Sequence, residues 1–157
     1  MEKSNSMDSF PQADNIEKIF KIINVLNPED LQNEKAMTVV LGDVTGRQVR
    51  YYIHAAQYLG LLGKDKRLTL YGEQVRRGNL FEQRIMIAQR IMTFPVFSEL
   101  YFTELILGVK LEKSEVVQLM RKHIQLSSDV MYRRRAQTVM RWIEWLHAID
   151  ELHTAQI

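Results

Sequence analysis

The chain has 157 residues, room for one domain or two small ones, and its 46% hydrophobic and 25% charged content is ordinary for a globular protein. It contains no cysteine, so disulfides and thiolate chemistry are excluded, and no apolar run approaches the roughly 20 residues that span a bilayer. Net charge is only +2, but the positive charge is blocked. From Thr45 to Arg77 there are seven basic residues (Arg47, Arg50, Lys64, Lys66, Arg67, Arg76, Arg77) against Asp65 and Glu73; from Arg121 to Arg141 there are six against Asp129. Clustered cations on a near-neutral chain suit a surface for a polyanion, where an isolated charge run would read as a solvated face. Glu2, Lys3 and Asp8, with no apolar segment behind them, do not read as a secretory signal, and a cytoplasmic location is expected.

Residues 1–10 are polar and expected to form a disordered tail. After Pro11, Asp14 is placed to cap a helix and Glu17 sits at the reciprocal capping-box position. Ile16, Ile19, Phe20, Ile23 and Leu26 follow at helical spacing, and Asn27-Pro28 ends the run. A second helix is expected within 28–41, with Leu31, Met37, Val40 and Leu41 as core candidates. Gly42-Asp43 is a turn. The third helix begins after Thr45, a capping residue. Its Val49, Tyr52, Ile53, Ala56 and Leu59 form an apolar stripe, while Arg47, Arg50, Tyr51 and His54 repeat the spacing on the other side. Leu61-Leu62 and Leu68-Thr69-Leu70 flank a charged turn and suggest a short β-hairpin. A brief helix over 71–77 stops at Gly78-Asn79. The rest reads as helical: 81–92 with Ile85, Ala88 and Met92 on one face; a second from Pro95 with Val96, Phe97, Leu100, Tyr101 and Leu105; a third from Ser114-Glu115 with Val116, Val117, Leu119 and Met120; and, after a turn at Leu126–Asp129, a long helix from about 130 to 152. Trp142 and Trp145 cannot share one narrow stripe, so one of them packs inward.

A short capped helix that displays Arg and Tyr, preceded by a turn and followed by a basic hairpin, suits entry into a DNA major groove. Shifting the chain by 84 residues superposes Tyr52, Ala55, Ala56, Leu59 and Leu62 on Ala136, Val139, Met140, Ile143 and Leu146, Arg50 on Arg134 and Thr45 on Asp129. This suggests a second helix-turn-helix, although any two amphipathic helices align on their apolar stripes.

Other chemistry finds little support. His54, His123, His147 and His153 lack zinc-site spacing and have no cysteines to complete a tetrahedron. Gly60-x-x-Gly63-Lys64 lacks both the spacing and the following Ser/Thr of a phosphate loop. The methionines, among them Met86, Met92, Met120 and Met140, sit at helical spacing and read as core filler. No catalytic residue, metal site or cofactor is expected.

The segments Pro11–Lys18, Arg47–Tyr52, Ala55–Leu61, Leu68–Leu70, Phe94–Phe97 and Arg133–Leu146 together resemble winged-helix modules attached to bacterial type II restriction enzymes. The resemblance covers most of 11–147. It implies an accessory or target-recognition module, with cutting done by a separate nuclease domain. Such nucleases hold Mg²⁺ with paired carboxylates beside an acid-x-Lys motif, and this sequence contains neither Asp-x-Lys nor Glu-x-Lys.

The expectation is a mainly α chain: a tail over 1–10, a winged helix-turn-helix with a β-hairpin wing over 11–79, and a helical domain over 80–157 with a second helix-turn-helix. Its function would be non-enzymatic DNA binding in a restriction-modification system. Thr45, Arg47, Gln48, Arg50 and Tyr51 would face the groove and Lys64, Lys66 and Arg67 would grip phosphates. Arg133, Arg134, Arg135 and Arg141 would form a second phosphate surface. Partners would be double-stranded DNA, a nuclease or methyltransferase, and a second copy of the chain, with no membrane. The alternative is a protein-interaction or dimerisation subunit.

Overall fold

A computed structural model describes residues 10–155. Among them are eight α-helices, one short 3₁₀ helix and no strand. Two compact units emerge: Pro11–Met86, and Phe10 with the chain from Ile87 onward.

In the first unit, α1 spans Ile16–Ile23. Its cap is Asn15, whose side chain accepts from Glu17 N at 3.0 Å, and not Asp14. Ile16, Ile19, Phe20 and Ile23 are buried as the spacing predicts, but Leu26 is 96% exposed. The helix stops at Asn24, before the Pro28 barrier, and there the Asn24 amide exchanges hydrogen bonds of 2.8 and 2.9 Å with the Gln83 amide. Pro28 instead opens the 3₁₀ helix Pro28–Gln32, and a separate α2 (Glu34–Leu41) starts from the Asn33 cap. The helix expected within 28–41 is α2, and a 3₁₀ turn precedes it. Gly42 and Asp43 both take positive φ (70° and 51°), which turns the chain into α3, Gly46–Tyr58. Thr45 caps it in a full box: its hydroxyl accepts from Gln48 N at 3.2 Å and its own N–H donates to Gln48 Oε1 at 2.9 Å. All five residues of the expected stripe, Val49 to Leu59, are buried.

The β-hairpin wing is absent. Between α3 and α4 (Leu70–Arg77) there is one antiparallel bridge, Leu62 with Leu68, and no strand. Both flanks are claimed by helices. Leu61 and Leu62 donate back to the Ala56 carbonyl as the end of α3 unwinds, and the Thr69 hydroxyl accepts from Gly72 N as the cap of α4. Across the bridge only Gly63 N to the Arg67 carbonyl (2.8 Å) and Thr69 N to the Leu61 carbonyl (3.0 Å) pair, too few for a ladder. Gly72 lets α4 approach closely, since a Cβ there would lie 2.2 Å from the Leu61 carbonyl oxygen. Arg76 closes this unit by donating to the carbonyls of Ile23 and Val25, both at 2.8 Å.

The division between the units falls within α5, Leu80–Ile91. Its buried positions are Gln83, Ile87 and Ile91 rather than Ile85, Ala88 and Met92. Gln83 tolerates burial because its amide also donates to the Gly78 carbonyl at 3.1 Å.

The second unit packs α6 (Pro95–Leu107), α7 (Lys113–His123) and α8 (Asp129–Ala155). Pro95 stands in the first turn of α6, where a missing N–H costs nothing. Phe97 is fully buried, with ring centroids 5.3 Å from Trp142 and 6.0 Å from Phe10. Of the tail expected over 1–10, residues 1–9 lie outside the described residues, whereas Phe10 is buried. The core position expected for Leu105 is taken by Glu104, 8% exposed, while Leu105 is 55% exposed. The Tyr132 hydroxyl donates to the Ile124 carbonyl at 2.8 Å and accepts from Leu126 N at 3.1 Å, pinning the turn between α7 and α8. The helices matched by the 84-residue shift are unequal, 13 residues in α3 and 27 in α8.

Candidate nucleic-acid interface

Because Val49, Tyr52, Ile53 and Ala56 point inward, helical geometry sends Arg47, Arg50 and Tyr51 outward. Arg47 and Arg50 are exposed, and Tyr51 and His54 are half-buried. The face is internally braced. Arg47 Nε donates to the Tyr51 hydroxyl at 2.7 Å, and its guanidinium lies 5.6 Å from that ring's centroid. Arg50 Nη1 reaches both oxygens of Glu34 on α2, at 2.9 and 2.8 Å. Glu34 is the acidic residue that the charge count of 45–77 could not register, since it precedes that block in sequence and meets it only in space. Thr45 and Gln48 lie at the same helix end, with their polar groups engaged in the capping box.

Lys64, Lys66 and Arg67 are exposed on the turn after α3. The turn is well defined without strands. Gly63 N donates to the Arg67 carbonyl at 2.8 Å, Lys66 N to the Gly63 carbonyl at 3.0 Å, and Arg67 N to Asp65 Oδ1 at 3.0 Å. Gln32 anchors it from the 3₁₀ helix by donating to the carbonyls of Asp65 and Lys66 at 3.0 and 3.2 Å. Beside it lies a hollow of about 430 Å³ lined by Pro28, Glu29, Gln32, Arg67 and Glu73. Arg76, counted with this basic block, serves the carbonyls of Ile23 and Val25 at the end of α1 instead.

On α8 the arginine triplet divides. Three successive residues span about 200° of a helix, so a buried stripe on one side takes one of them. Arg133 and Arg134 are exposed, while Arg135 is 5% exposed and donates through Nε to the Phe10 carbonyl at 3.3 Å. Arg135 therefore belongs to the packing of its unit, in line with Tyr132, Val139 and Trp142. The stripe Tyr132–Ala136–Val139–Ile143 in the sequence is the signal that separates it from its neighbours. Arg141 is exposed, 3.6 Å from Glu144. Hydrogen bonding to Lys110, above all, holds the Glu144 carboxyl below the usual carboxylate range, with Arg141 adding to it. Arg121 pairs with Asp129 and lies 4.2 Å over the Tyr132 ring.

The histidines do not converge. His123 pairs with Glu99 and His147 with Glu104, the latter at 3.1 Å with its ring stacked on Tyr101. Among the described residues no group of three acidic or histidine side chains could hold a metal ion, and no helix is long and apolar enough to cross a membrane. The His153 side chain lies outside the described residues.

Residues 18–151 match the family described as a domain of unknown function (DUF7226), and the chain belongs to that family. No curated protein and no solved structure matches it.

Proposed function

We propose that this DUF7226 protein is a DNA-binding module that uses the outer face of α3 and the basic turn after it, and that it has no catalytic chemistry of its own. The observation that carries this reading is the conjunction of Arg47, Arg50 and Tyr51 on one exposed helix face with Lys64, Lys66 and Arg67 on the turn that follows, within a single compact unit. The buried stripe and the capping box hold the face rigid before any ligand arrives, so little ordering entropy is lost on binding. The Glu34–Arg50 pair does not block it. Both side chains are about half exposed (61% and 47%), and such pairs are worth only about 0.2–1 kcal/mol. A phosphate oxygen or a guanine edge can replace the carboxylate, and a good bidentate base contact contributes roughly 1–3 kcal/mol of discrimination. Arg133, Arg134 and Arg141 supply a separate cationic surface on α8. The resemblance to restriction-enzyme modules extends the proposal: a separate nuclease or methyltransferase would supply the chemistry.

The test is a fluorescence-anisotropy titration against duplex DNA at several salt concentrations. Replacing Lys64, Lys66 and Arg67 together by Ala is expected to flatten the log–log salt slope by up to about 2.7, at roughly 0.9 for each phosphate that is no longer neutralised. Folded wild-type protein that shows no binding at low salt refutes the proposal. The braced state of Arg47 and Arg50 also suits recognition of an acidic protein surface. If replacing both by Ala abolishes a protein complex but leaves DNA affinity intact, that second reading holds.

A further inference from the structure

Three long polar side chains stand exposed in the first turns of α3: Arg47, Gln48 and Arg50. Their hydrogen bonds set them apart. Reading adenine takes both ends of a Gln amide, one donor and one acceptor. Gln48 Oε1 already accepts from Thr45 N at 2.9 Å in the capping box, so that pair of contacts is not on offer. Arg50 Nη1 reaches both oxygens of Glu34 at 2.9 and 2.8 Å, which draws its guanidinium toward α2. Arg47 differs from both. Its Nε donates at 2.7 Å to the hydroxyl of Tyr51, one turn further along, and its guanidinium carbon lies 5.6 Å from that ring's centroid. Neither Nη of Arg47 has a hydrogen-bond or ion-pair partner among the described residues. One edge of the guanidinium is fixed, and the edge formed by Nη1 and Nη2 is open.

On the DNA-binding reading proposed above, on which this rests, we infer that Arg47 is the base-reading residue of the α3 face, that the base it selects is guanine, and that Tyr51 is its positioning residue. In the major groove guanine alone presents two adjacent acceptors, O6 and N7. The two parallel N–H donors of the open edge match that pair. On adenine they would meet the N6 donor, on cytosine the N4 donor, and on thymine a single acceptor beside a methyl group. The place in the fold agrees with the chemistry. In helix-turn-helix docking the N-terminal residues of the second helix reach base edges, while the first helix crosses the backbone. Arg47 stands in the first turn of α3, and Arg50 is held beside α2, where a phosphate oxygen is the nearer exchange for Glu34. The Tyr51 hydroxyl acts through Arg47: it restrains a long side chain before DNA arrives, so less rotamer freedom is lost on binding.

Selection from a random-sequence duplex library, followed by anisotropy titration of the enriched duplex, tests it. Wild-type protein is expected to enrich one fixed G·C pair, and replacing that guanine by adenine to weaken binding by about 5- to 150-fold. Placing 7-deazaguanine there removes the N7 acceptor, keeps the pairing with cytosine, and is expected to weaken wild-type binding as well. Arg47→Ala is expected to bind the three duplexes alike, and Arg50→Ala to keep the wild-type ranking at lower affinity. Tyr51→Phe keeps the ring without the hydroxyl, and is expected to narrow the guanine-to-adenine ratio with the salt slope unchanged. Both arginines are exposed, so the thermal melts of their variants should match the wild type. Wild-type protein that binds duplex DNA but enriches no fixed guanine overturns the inference and leaves the DNA-binding reading standing, whereas folded protein that binds no duplex at all overturns both. A guanine preference that survives Arg47→Ala, or that disappears in Arg50→Ala, overturns the assignment to Arg47. An unchanged ratio in Tyr51→Phe overturns the positioning role of Tyr51.

Discussion

Glu34→Gln should tighten DNA binding. The Glu34 carboxylate sits over the first turn of α3, where Arg50 Nη1 reaches both of its oxygens at 2.9 and 2.8 Å. A phosphate bound at this helix face must displace it. The displacement costs what the exposed pair is worth, about 0.2–1 kcal/mol, so removing the charge should raise affinity between about 1.4- and 5-fold. The gain should be largest at low salt and shrink as the screening length falls below about 8 Å. The variant itself should lose less than about 1 kcal/mol of stability. Gly46→Ala offers an independent route to the same state: a Cβ there would lie 2.0 Å from Glu34 Oε1, so the flexible carboxylate must swing away from Arg50. Anisotropy titrations of wild type, Glu34→Gln and Gly46→Ala at two salt concentrations, with urea unfolding as the control, measure all of this. Unchanged affinity in both variants would mean that Arg50 never meets the polyanion. Weaker binding in Glu34→Gln would remove the α3 face from the reading altogether.

Trp142→Ala should cost about 3–5 kcal/mol in chemical denaturation, since the indole is fully buried against Phe97 and a cavity would remain. Arg135→Ala should lower stability by roughly 1–3 kcal/mol through the lost hydrogen bond to the Phe10 carbonyl and poorer packing, while Arg133→Ala leaves the urea midpoint unchanged; the reverse ranking would contradict the buried position of Arg135. The acid limb of stability should depend on Glu99. Its hydrogen bond to His123, with Lys122 contributing, holds the carboxyl below its ordinary value. A depressed folded pKa gives stability that is complete above the usual carboxylate pKa of about 4.3 and lost as pH falls through the folded value. Melts recorded from neutral pH downward should therefore show a shallower acid decline in Glu99→Gln, and parallel curves would discount the pairing.

Where hydrophobic period and cap agree, the sequence is legible. Thr45, Gln48 and the stripe from Val49 to Leu59 depend on neighbours within a few residues, so local pattern suffices. The α1 stripe is legible too, but its end is not, because Asn24 stops the helix through Gln83, 59 residues away. The hairpin expectation fails for a related reason. Alternation around a charged turn is also produced by a helix end followed directly by a cap, and Thr69 serves α4 instead of a strand. In the second unit, Leu105 reads as core by composition, yet Glu104 holds the inward position because the Leu111 N–H at 2.8 Å and His147 satisfy its carboxylate.

By itself, then, the sequence determined the helical class, the amphipathic α3 with its outward arginines and tyrosine, and the absence of an acid-x-Lys motif, all of which follow from residue type and short-range spacing. Which cations are occupied depends on distant contacts: Arg50 on Glu34, Arg76 on the Ile23 and Val25 carbonyls, Arg135 on Phe10. Exposure of Phe102, Leu105 and Ile106 on one face of α6 likewise emerges only in three dimensions. Charge pairing and burial depend on residues distant in sequence and adjacent in space, and no local pattern encodes them.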